Sequence, residues 1–451
     1  MTVTGKPQLR SFFACTAAFK DGTDTPRLFL ERCIEAIDAR ESQIGAFVTT
    51  NLDRARGAAD SAGARWVSGK TLSIIDGMPV GIKDIMETAD MPTEQGSPLF
   101  AGWHGGRDAA AVAALREAGA VILGKTVTTE FAAAQARGTR NPWDPTRTPG
   151  GSSSGSAAAV AAGMVPAALG SQVSGSAIRP ASFCGCFDYK PSVGGINRGG
   201  SFDEFSQSCT AVLAASLSEA WSVAREISAR AGGDPGYPGI LGPPALPTAH
   251  KPRRIVMLQT AGWNKATDEA KQALRDACKR MEGAGIEIAD KTADKVVAVV
   301  ESTISNAYEL TMNIMAWEGR WPLNTYARDM GRSDLSKNAL DRLAEGNAMT
   351  LEDYRALIAE RQRVREAYAA LKDSCDVCVT LSATAEAPVG LESTGDPVFA
   401  VPASLLGAPS LSLPVLRIGG MPLGLQLIGF ANDDTLMFAA AAAMLPLLVM
   451  K

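Results

Sequence analysis

Serines and one lysine are the residues of this chain whose types and spacing could do chemistry. Two serine- and glycine-rich clusters lie within residues 150–180, and a small-residue apolar segment separates them. Hydroxyls between glycines could act as nucleophiles, and exposed N–H groups in such turns form anion-binding concavities. A flexible linker is disfavoured because Ala157 to Val160 begin a buried-looking helical run. A phosphate-binding loop is disfavoured because the first cluster ends in Gly155-Ser156-Ala157, without the lysine of that motif.

A serine nucleophile needs a base at neutral pH, and the chain offers few. Its two histidines, His104 and His250, lie in no recognisable motif. The letters of 151–155 match a nucleophile elbow, but the preceding residues favour a loop where that motif needs a strand. A lysine can act as the base when burial lowers its pKa. Lys83 ends an apolar strand and is the leading candidate; an ion pair with Asp84 or another acid at the strand end is the alternative.

These motifs resemble the amidase signature family. The resemblance rests on four segments: Gly150-Gly151-Ser152-Ser153-Ser154-Gly155-Ser156, Gly175-Ser176, Phe183-Cys184-Gly185 and, upstream, Gly81-Ile82-Lys83-Asp84. It implies a Ser–Ser–Lys triad in which Ser176 is the nucleophile, Ser152 is the bridging serine after a cis peptide bond, and Lys83 is the base.

The resemblance also implies the surroundings of the triad. The oxyanion hole would consist of the backbone N–H groups of Val173, Ser174, Gly175 and Ser176. Ser153 and Gly151 would support the site, although turn or helix-cap roles remain the alternative for the neighbouring serines. Lys125 is the rival lysine, but its Gly-Lys-Thr context is a structural turn in the resembling family.

The second cluster departs from the common family pattern, Gly-Thr-Asp-Thr-Gly-Gly-Ser-Ile-Arg. Gln172 replaces the acid, and Arg179 comes one position later. This variant resembles the malonamidase-like branch, which acts on small amides. We expect the chain to belong to that branch, with aryl-acylamidases, or to a urethanase-like branch. Gln172 and Arg179 are the candidate substrate-binding residues. Arg179 could hold a substrate carboxylate as a fork or pair with a neighbouring acid.

Composition limits the class of protein. The chain has 451 residues, 46% hydrophobic and 20% charged, with a formal net charge of −4. It lacks the excess of basic residues that is typical of a nucleic-acid-binding protein. Residues 1–20 do not match a signal peptide, and the longest apolar run, 436–450, is too short to span a membrane. We therefore expect a cytoplasmic protein without nucleic-acid or membrane partners.

The cysteines predict neither a metal site nor a disulfide framework. The eight cysteines are scattered along the chain. Cys375 and Cys378 form a C-x-x-C pair, but no second metal-type pair accompanies it and its flanks resemble a buried strand. We expect no metal and no cofactor.

Alternating strand and helix patterns from residue 77 onward predict an α/β fold with a mostly parallel sheet. The resemblance implies a single α/β/α domain around a large mixed, mostly parallel central sheet. We divide the chain into a helical N-terminal arm, 1–65, and an amidase signature domain, 66–451. Within that domain, 66–230 and 371–451 form the core, and 231–370 form the variable, substrate-side insert.

These observations favour a serine hydrolase of C–N bonds in small amides and anilides, with carbamates and esters as further substrates. The alternatives are the A-like subunit of a tRNA-dependent amidotransferase, against which the departures argue, or a non-catalytic partner subunit. We expect an apolar or aromatic acyl group, held by residues 126–137, by helices near Trp317 and Trp321, and by loop 383–397. Family members are often dimers, so a homodimer is expected as well.

Overall fold

The computed structural model describes residues 6–133 and 135–449. Residues 1–5 of the predicted arm, 450–451 of the predicted domain and Ala134 of the predicted acyl pocket lie outside the described residues. The strands, in chain order, are β1 (Phe47–Thr50), β2 (Pro79–Lys83), β3 (Val121–Thr126), β4 (Ala167–Gln172), β5 (Phe187–Lys190), β6 (Cys209–Ala214), β7 (Arg254–Met257), β8 (Glu287–Ala289), β9 (Val377–Leu381), β10 (Ser410–Ile418) and β11 (Met421–Ile428).

Helices connect most of these strands. The α-helices are α1 (Thr16–Asp21), α2 (Pro26–Ile44), α3 (Leu52–Val67), α4 (Ala110–Glu117), α5 (Ser154–Ala161), α6 (Ile178–Cys184), α7 (Leu217–Ala231), α8 (Asp268–Gly283), α9 (Lys295–Thr303), α10 (Ala307–Thr325), α11 (Lys337–Ala348), α12 (Leu351–Ala369), α13 (Val401–Leu405) and α14 (Asp434–Leu448). A π-helical turn, Tyr326–Gly331, follows α10. Short 3-10 turns occur at Pro98–Phe100, Glu130–Ala132, Ala261–Asn264, Arg332–Asp334 and Ala370–Asp373.

The strands form one mixed sheet in the order β1-β3-β2-β4-β6-β5-β10-β11-β9-β7-β8. The single α/β domain with a large mixed sheet is therefore confirmed. The expectation that this sheet is mostly parallel is wrong, because six of the ten strand pairings between described residues are antiparallel. One cause is local: β10 and β11 are joined by Gly419 and Gly420, both with positive φ, and so tight a turn forces antiparallel pairing.

The N-terminal segment is not purely helical. Thr25 caps α2 by accepting a hydrogen bond from the Leu28 N–H, as Pro26 at the first helical position predicts. After α2, β1 pairs with β3 at the edge of the sheet. Phe12 and Phe29 of this segment belong to the same buried cluster as the sheet residues. The division of the chain at residue 65 stays a prediction.

The parallel strands β2 and β4 lie next to each other, with Ile82 opposite Leu169. Their carboxyl ends, Lys83 and Gln172, therefore lie at the same edge of the sheet. The first serine-rich cluster, 150–156, continues into the first turn of α5, and the second links β4 to α6. This topology gathers residues that are up to 93 positions apart along the chain, from Lys83 to Ser176.

Within the described ranges, 6–133 and 135–449, no helix combines the length and the apolar character that crossing a membrane requires.

Candidate active site

Lys83 is the buried centre of a hydroxyl cluster. Its side chain has no exposed surface, and Nζ lies 2.7 Å from Ser152 Oγ and 2.8 Å from Ser171 Oγ. Burial lowers the pKa of Lys83 to about 7, and the negative charge of Asp203 opposes that shift. At neutral pH a large fraction of this amine is therefore uncharged and able to accept a proton.

Ser152 follows a cis peptide bond from Gly151, as the family resemblance implies. The loop is fixed on both sides of this bond: Arg179 Nη2 donates to Gly151 O at 2.7 Å, and the Thr129 N–H donates to Ser152 O at 3.2 Å. A Cβ on Gly151 would lie 2.7 Å from Thr394 Cγ2, so only glycine fits there. These contacts hold the Ser152 hydroxyl against Lys83.

Ser153 links the two serine-rich clusters. Its N–H donates to Ser176 O at 3.0 Å, and its Oγ accepts from the Ser171 N–H at 3.2 Å. Ser153 is fully buried. These two bonds connect the loop of Ser152 to the loop of Ser176, and the supporting role of Ser153 stays a prediction.

Ser176 lies in the turn between β4 and α6 and retains 7% of its surface exposed. Among the described residues, no partner forms a hydrogen bond with its hydroxyl. The preceding Gly175 has φ 145°, and a Cβ there would lie 2.9 Å from Pro397 Cβ. The hydroxyl of Ser176 is thus free to meet a substrate.

The predicted oxyanion hole is a run of four N–H groups, those of Val173, Ser174, Gly175 and Ser176. None of the four donates a hydrogen bond to another residue within 6–133 or 135–449. The next two N–H groups, of Ala177 and Ile178, are both occupied. The unoccupied run could therefore serve an anion that forms at Ser176.

Gln172, a predicted substrate ligand, makes its hydrogen bonds to neighbouring segments of the protein. Its side chain is fully buried, and Oε1 accepts from the N–H groups of Ala177 and Ile178, each at 3.0 Å. Its Nε2 donates to Ser404 Oγ at 3.2 Å. Two of these three hydrogen bonds connect Gln172 to the residues directly after Ser176, and substrate binding by Gln172 stays a prediction.

Arg179 is nearly buried and braces the same loops. Besides Gly151 O, its Nη2 donates to Thr394 Oγ1 at 3.1 Å. Its Nε and Nη1 are buried and have no hydrogen-bond partner among the described residues. Burial lowers the pKa of Arg179 to about 10, and the charge of Asp396 opposes this. The alternative of a direct ion pair is not realised, and carboxylate binding stays a prediction.

The rival bases lie outside this cluster. Lys125 is buried in β3 and forms an ion pair with Asp84, Nζ to Oδ1 3.0 Å, so the acid beside Lys83 is paired elsewhere. The predicted turn at Gly124-Lys125 is wrong, because β3 continues to Thr126. The glycine instead allows close approach of β1: a Cβ would lie 2.5 Å from Thr49 O.

Neither histidine contacts the site. His104 Nδ1 accepts from the Gly106 N–H in an exposed turn, and the His250 N–H donates to Ala439 O. In the ranges 6–133 and 135–449 no group of three His, Cys, Asp or Glu residues could hold a metal ion.

Sequence reasoning missed Ser171 and Asp203. Ser171 is the second hydroxyl on Lys83 Nζ, and its position at the carboxyl end of β4 could have indicated it. Asp203 accepts from Ser208 Oγ, whose other partner is Gln172 O. No local pattern in the sequence indicates that Asp203 lies near Lys83.

Known proteins are similar to this chain in sequence and in fold. The model of the Amidase family matches residues 29–438. The A subunit of the glutamyl-tRNA(Gln) amidotransferase from Anaeromyxobacter dehalogenans (strain 2CP-C) is 31% identical over 92% of this chain and 91% of its own. A solved structure described as "Crystal structure of amidase" is 25% identical, with a TM-score of 0.83 over 98% of this chain and 100% of its own. A bacterial aryl acylamidase of the amidase signature family has a TM-score of 0.82 over 98% of this chain and 96% of its own; at 18% identity this likeness concerns the fold alone.

Proposed function

The chain belongs to the Amidase family, and on that premise we propose that it cleaves the C–N bond of small amides and anilides through an acyl-enzyme on Ser176. One observation carries the proposal: a buried lysine with a pKa of about 7 lies 2.7 Å from the hydroxyl of Ser152. A lysine that served only in an ion pair would stay charged. A lysine that acts as a general base at neutral pH has to be uncharged.

The proposed reaction begins with proton transfer along the serines. Neutral Lys83 accepts the proton of Ser152 as Ser152 accepts the proton of Ser176, and Ser176 Oγ bonds to the substrate carbonyl carbon. The carbonyl oxygen becomes an oxyanion, which the four N–H groups of Val173 to Ser176 stabilise. Losing one such donor typically costs about 3–4 kcal/mol in the barrier.

Collapse of this intermediate breaks the C–N bond. The proton held on Lys83 returns through Ser152 to the leaving nitrogen, which departs as the amine. Water then attacks the ester on Ser176 by the same relay and releases the carboxylic acid. Carbamates and esters would follow the same path, because the relay only requires a leaving group that accepts a proton.

A second candidate is an A-like subunit of an amidotransferase. The curated relative at 31% identity over 92% of the chain favours it. Against it stand the departures at Gln172 and Arg179 from the common family pattern. A chain of this kind would depend on partner subunits, so activity of the purified chain alone separates the two. The malonamidase-like, aryl-acylamidase-like or urethanase-like branch, the homodimer and the cytoplasmic location stay predictions.

The test is hydrolysis of a panel of small amides, anilides, carbamates and esters by the purified chain. Ser176→Ala is the blank, and Ser61→Ala is the matched control, because that serine is exposed on α3. Turnover that is lost in Ser176→Ala and retained in Ser61→Ala supports the proposal. Turnover retained in Ser176→Ala, or no turnover by a folded chain until partner subunits are added, contradicts it.

A further inference from the structure

A pocket with aromatic walls lies among segments that are hydrogen-bonded to the loops of the candidate active site. Its walls include Gln95 of the loop after β2, Phe131 of the 3-10 turn after β3, Phe202 of the loop before β6, Glu318 of α10, Tyr326 of the π-helical turn and Arg342 of α11. The pocket draws on two regions in which acyl-group contacts are predicted, 126–137 and the helix near Trp317 and Trp321. No residue of the third predicted region, 383–397, lines it.

Hydrogen bonds connect segments at three sides of the pocket to the loops of the candidate active site. Phe131 lies two residues after Thr129, whose N–H donates to Ser152 O. The N–H of Gln95 donates at 3.0 Å to the carbonyl of Asp84, the neighbour of Lys83. On the third side, Gln207 Nε2 bridges Val173 O and Thr311 Oγ1 of α10, both at 3.2 Å. These bonds fix the segments that carry the pocket to the loops of Ser152, Lys83 and Val173.

The rings of the pocket are arranged to receive another ring. Phe131 and Tyr326 are stacked with centroids 5.1 Å apart and an interplanar angle of 30°. Phe100 meets the edge of Tyr326 at 5.2 Å and of Phe202 at 5.7 Å from behind. Phe131, Phe202 and Tyr326 line the pocket and are only half-buried, so part of each side chain stays accessible. Aromatic side chains prefer such offset and edge-to-face partners.

The backbone is irregular where it presents these rings. Five non-glycine residues have positive φ within the described ranges, and three lie in or next to the pocket wall: Gln95 (51°), Phe131 (48°) and Ala132 (54°). On the facing side, Pro322 interrupts the hydrogen bonding of α10, and the π-helical turn that follows begins with Tyr326. Strained residues and π-turns both cluster at ligand sites, because each has a cost that a purely structural role does not require.

The charges at the pocket favour a neutral ligand. Glu318 already accepts from the Ser206 N–H and the Tyr354 hydroxyl, each at 2.8 Å, so its carboxylate is satisfied. Glu204 is exposed at the rim, and the Arg342 guanidinium lies 5.9 Å from the centre of the Phe205 ring. Among the described residues, no pair of cations converges on the pocket. An uncharged ring should therefore bind there more tightly than an anion.

We infer that this pocket binds an uncharged aromatic ring of the amide substrate and that Tyr326 and Phe131 are its specificity-determining residues. The inference rests on the proposed function, because it concerns the part of the substrate that carries a ring while Ser176 attacks the carbonyl. The ring can belong to the acyl group or to the amine, and the two cases share the same contact with Tyr326.

The experiment compares benzamide, with the ring on the acyl side, acetanilide, with the ring on the amine side, and acetamide, which has no ring. In Tyr326→Ala, kcat/KM for at least one aromatic substrate should fall about tenfold, the loss of one ring contact plus its buried area. For acetamide the change should be less than about twofold by the same reasoning. Tyr326→Phe keeps the ring and should retain wild-type selectivity. Tyr237→Ala removes an exposed tyrosine elsewhere and serves as the control.

Equal losses for aromatic and aliphatic substrates, or no loss in Tyr326→Ala, would overturn the inference while leaving the hydrolase proposal intact. Should the wild type hydrolyse none of the three, which counts against the proposed function, calorimetric titration of benzamide and of acetanilide into Ser176→Ala tests ring binding in the pocket separately. Saturable binding that Tyr326→Ala weakens about tenfold supports it. Absent binding, or binding that Tyr326→Ala leaves unchanged, refutes it.

Discussion

Replacing Lys83 by methionine should make the protein inactive and, near neutral pH, more stable. The lysine side chain has an ordinary pKa of 10.5, and burial lowers it to about 7. Folding therefore has to remove a proton from Lys83 or bury its charge, which is a cost that the unfolded chain does not bear. Methionine has a similar shape and no charge, so Lys83→Met removes that cost together with the base.

The size of the effect follows from the shift. A difference of 3.5 pKa units between 10.5 and 7 corresponds to about 5 kcal/mol, reduced to about 4 kcal/mol at pH 7, where the lysine is half protonated. Losing the hydrogen bonds to Ser152 and Ser171 offsets about 1–2 kcal/mol. The free energy of unfolding of Lys83→Met should thus exceed that of the wild type by about 2–3 kcal/mol at pH 7.

The pH dependence distinguishes this cause from better packing. Between pH 7 and 10.5 the unfolded chain binds more protons at Lys83 than the folded chain, so wild-type stability rises with pH in that window. The advantage of Lys83→Met should shrink by about 2 kcal/mol from pH 7 to pH 9. Urea denaturation of both proteins at the two pH values measures this, with Lys70→Met, an exposed lysine, as the control. An advantage of the same size at both pH values would refute a lowered pKa at Lys83.

Three further outcomes are expected. The kcat/KM of the wild type should rise about tenfold per pH unit up to about pH 7 and then level off, because neutral Lys83 is the base; a flat profile from pH 5 to 9 would contradict this. Gln172→Met, which strands two buried N–H groups at the start of α6, should lower the free energy of unfolding in urea by about 2–4 kcal/mol and lower kcat. Ser404→Ala removes only the hydrogen bond from Gln172 Nε2 and should lower the free energy of unfolding by about 1 kcal/mol. Equal losses in the two variants would contradict the importance of the bonds from Gln172 to the two N–H groups. Lys125→Met should destabilise the fold by about 3–5 kcal/mol, because it leaves Asp84 buried without a cation. Adding Asp84→Asn should recover part of this loss in urea denaturation. No recovery would contradict the pairing of Lys125 with Asp84.

Local sequence was sufficient for the residues whose role depends on their own segment. Lys83 ends an apolar strand, so its burial could be expected from its neighbours. The glycines and serines of 150–176 predict close backbone approach, and the structure has Gly151 against Thr394 and Gly175 against Pro397. Helix starts such as Thr25-Pro26 were predictable for the same reason, because a cap is a short-range feature.

Residues whose role depends on strand order or on distant segments could not be predicted. Ser171 reaches Lys83 only because β2 and β4 are parallel neighbours, and nothing near either residue specifies that pairing. Gly124 is of a residue type that is common in turns, but here it allows β1 to approach β3 closely at Thr49, 75 positions away. The stacking of Tyr326 on Phe131 joins segments that are 195 positions apart, and no periodicity in either segment indicates it.

The most direct measurement is the site of covalent labelling by a sulfonyl fluoride. Phenylmethylsulfonyl fluoride transfers its sulfonyl group to an activated hydroxyl, fluoride leaves, and the hydroxyl proton passes to the base; peptide mass spectrometry then locates the adduct. The account predicts one adduct, on Ser176, that is absent in Ser176→Ala and forms far more slowly in Lys83→Met. An adduct on Ser152 or Ser153 with Ser176 unmodified, or no adduct on the native protein, would contradict the assignment of Ser176 as the nucleophile.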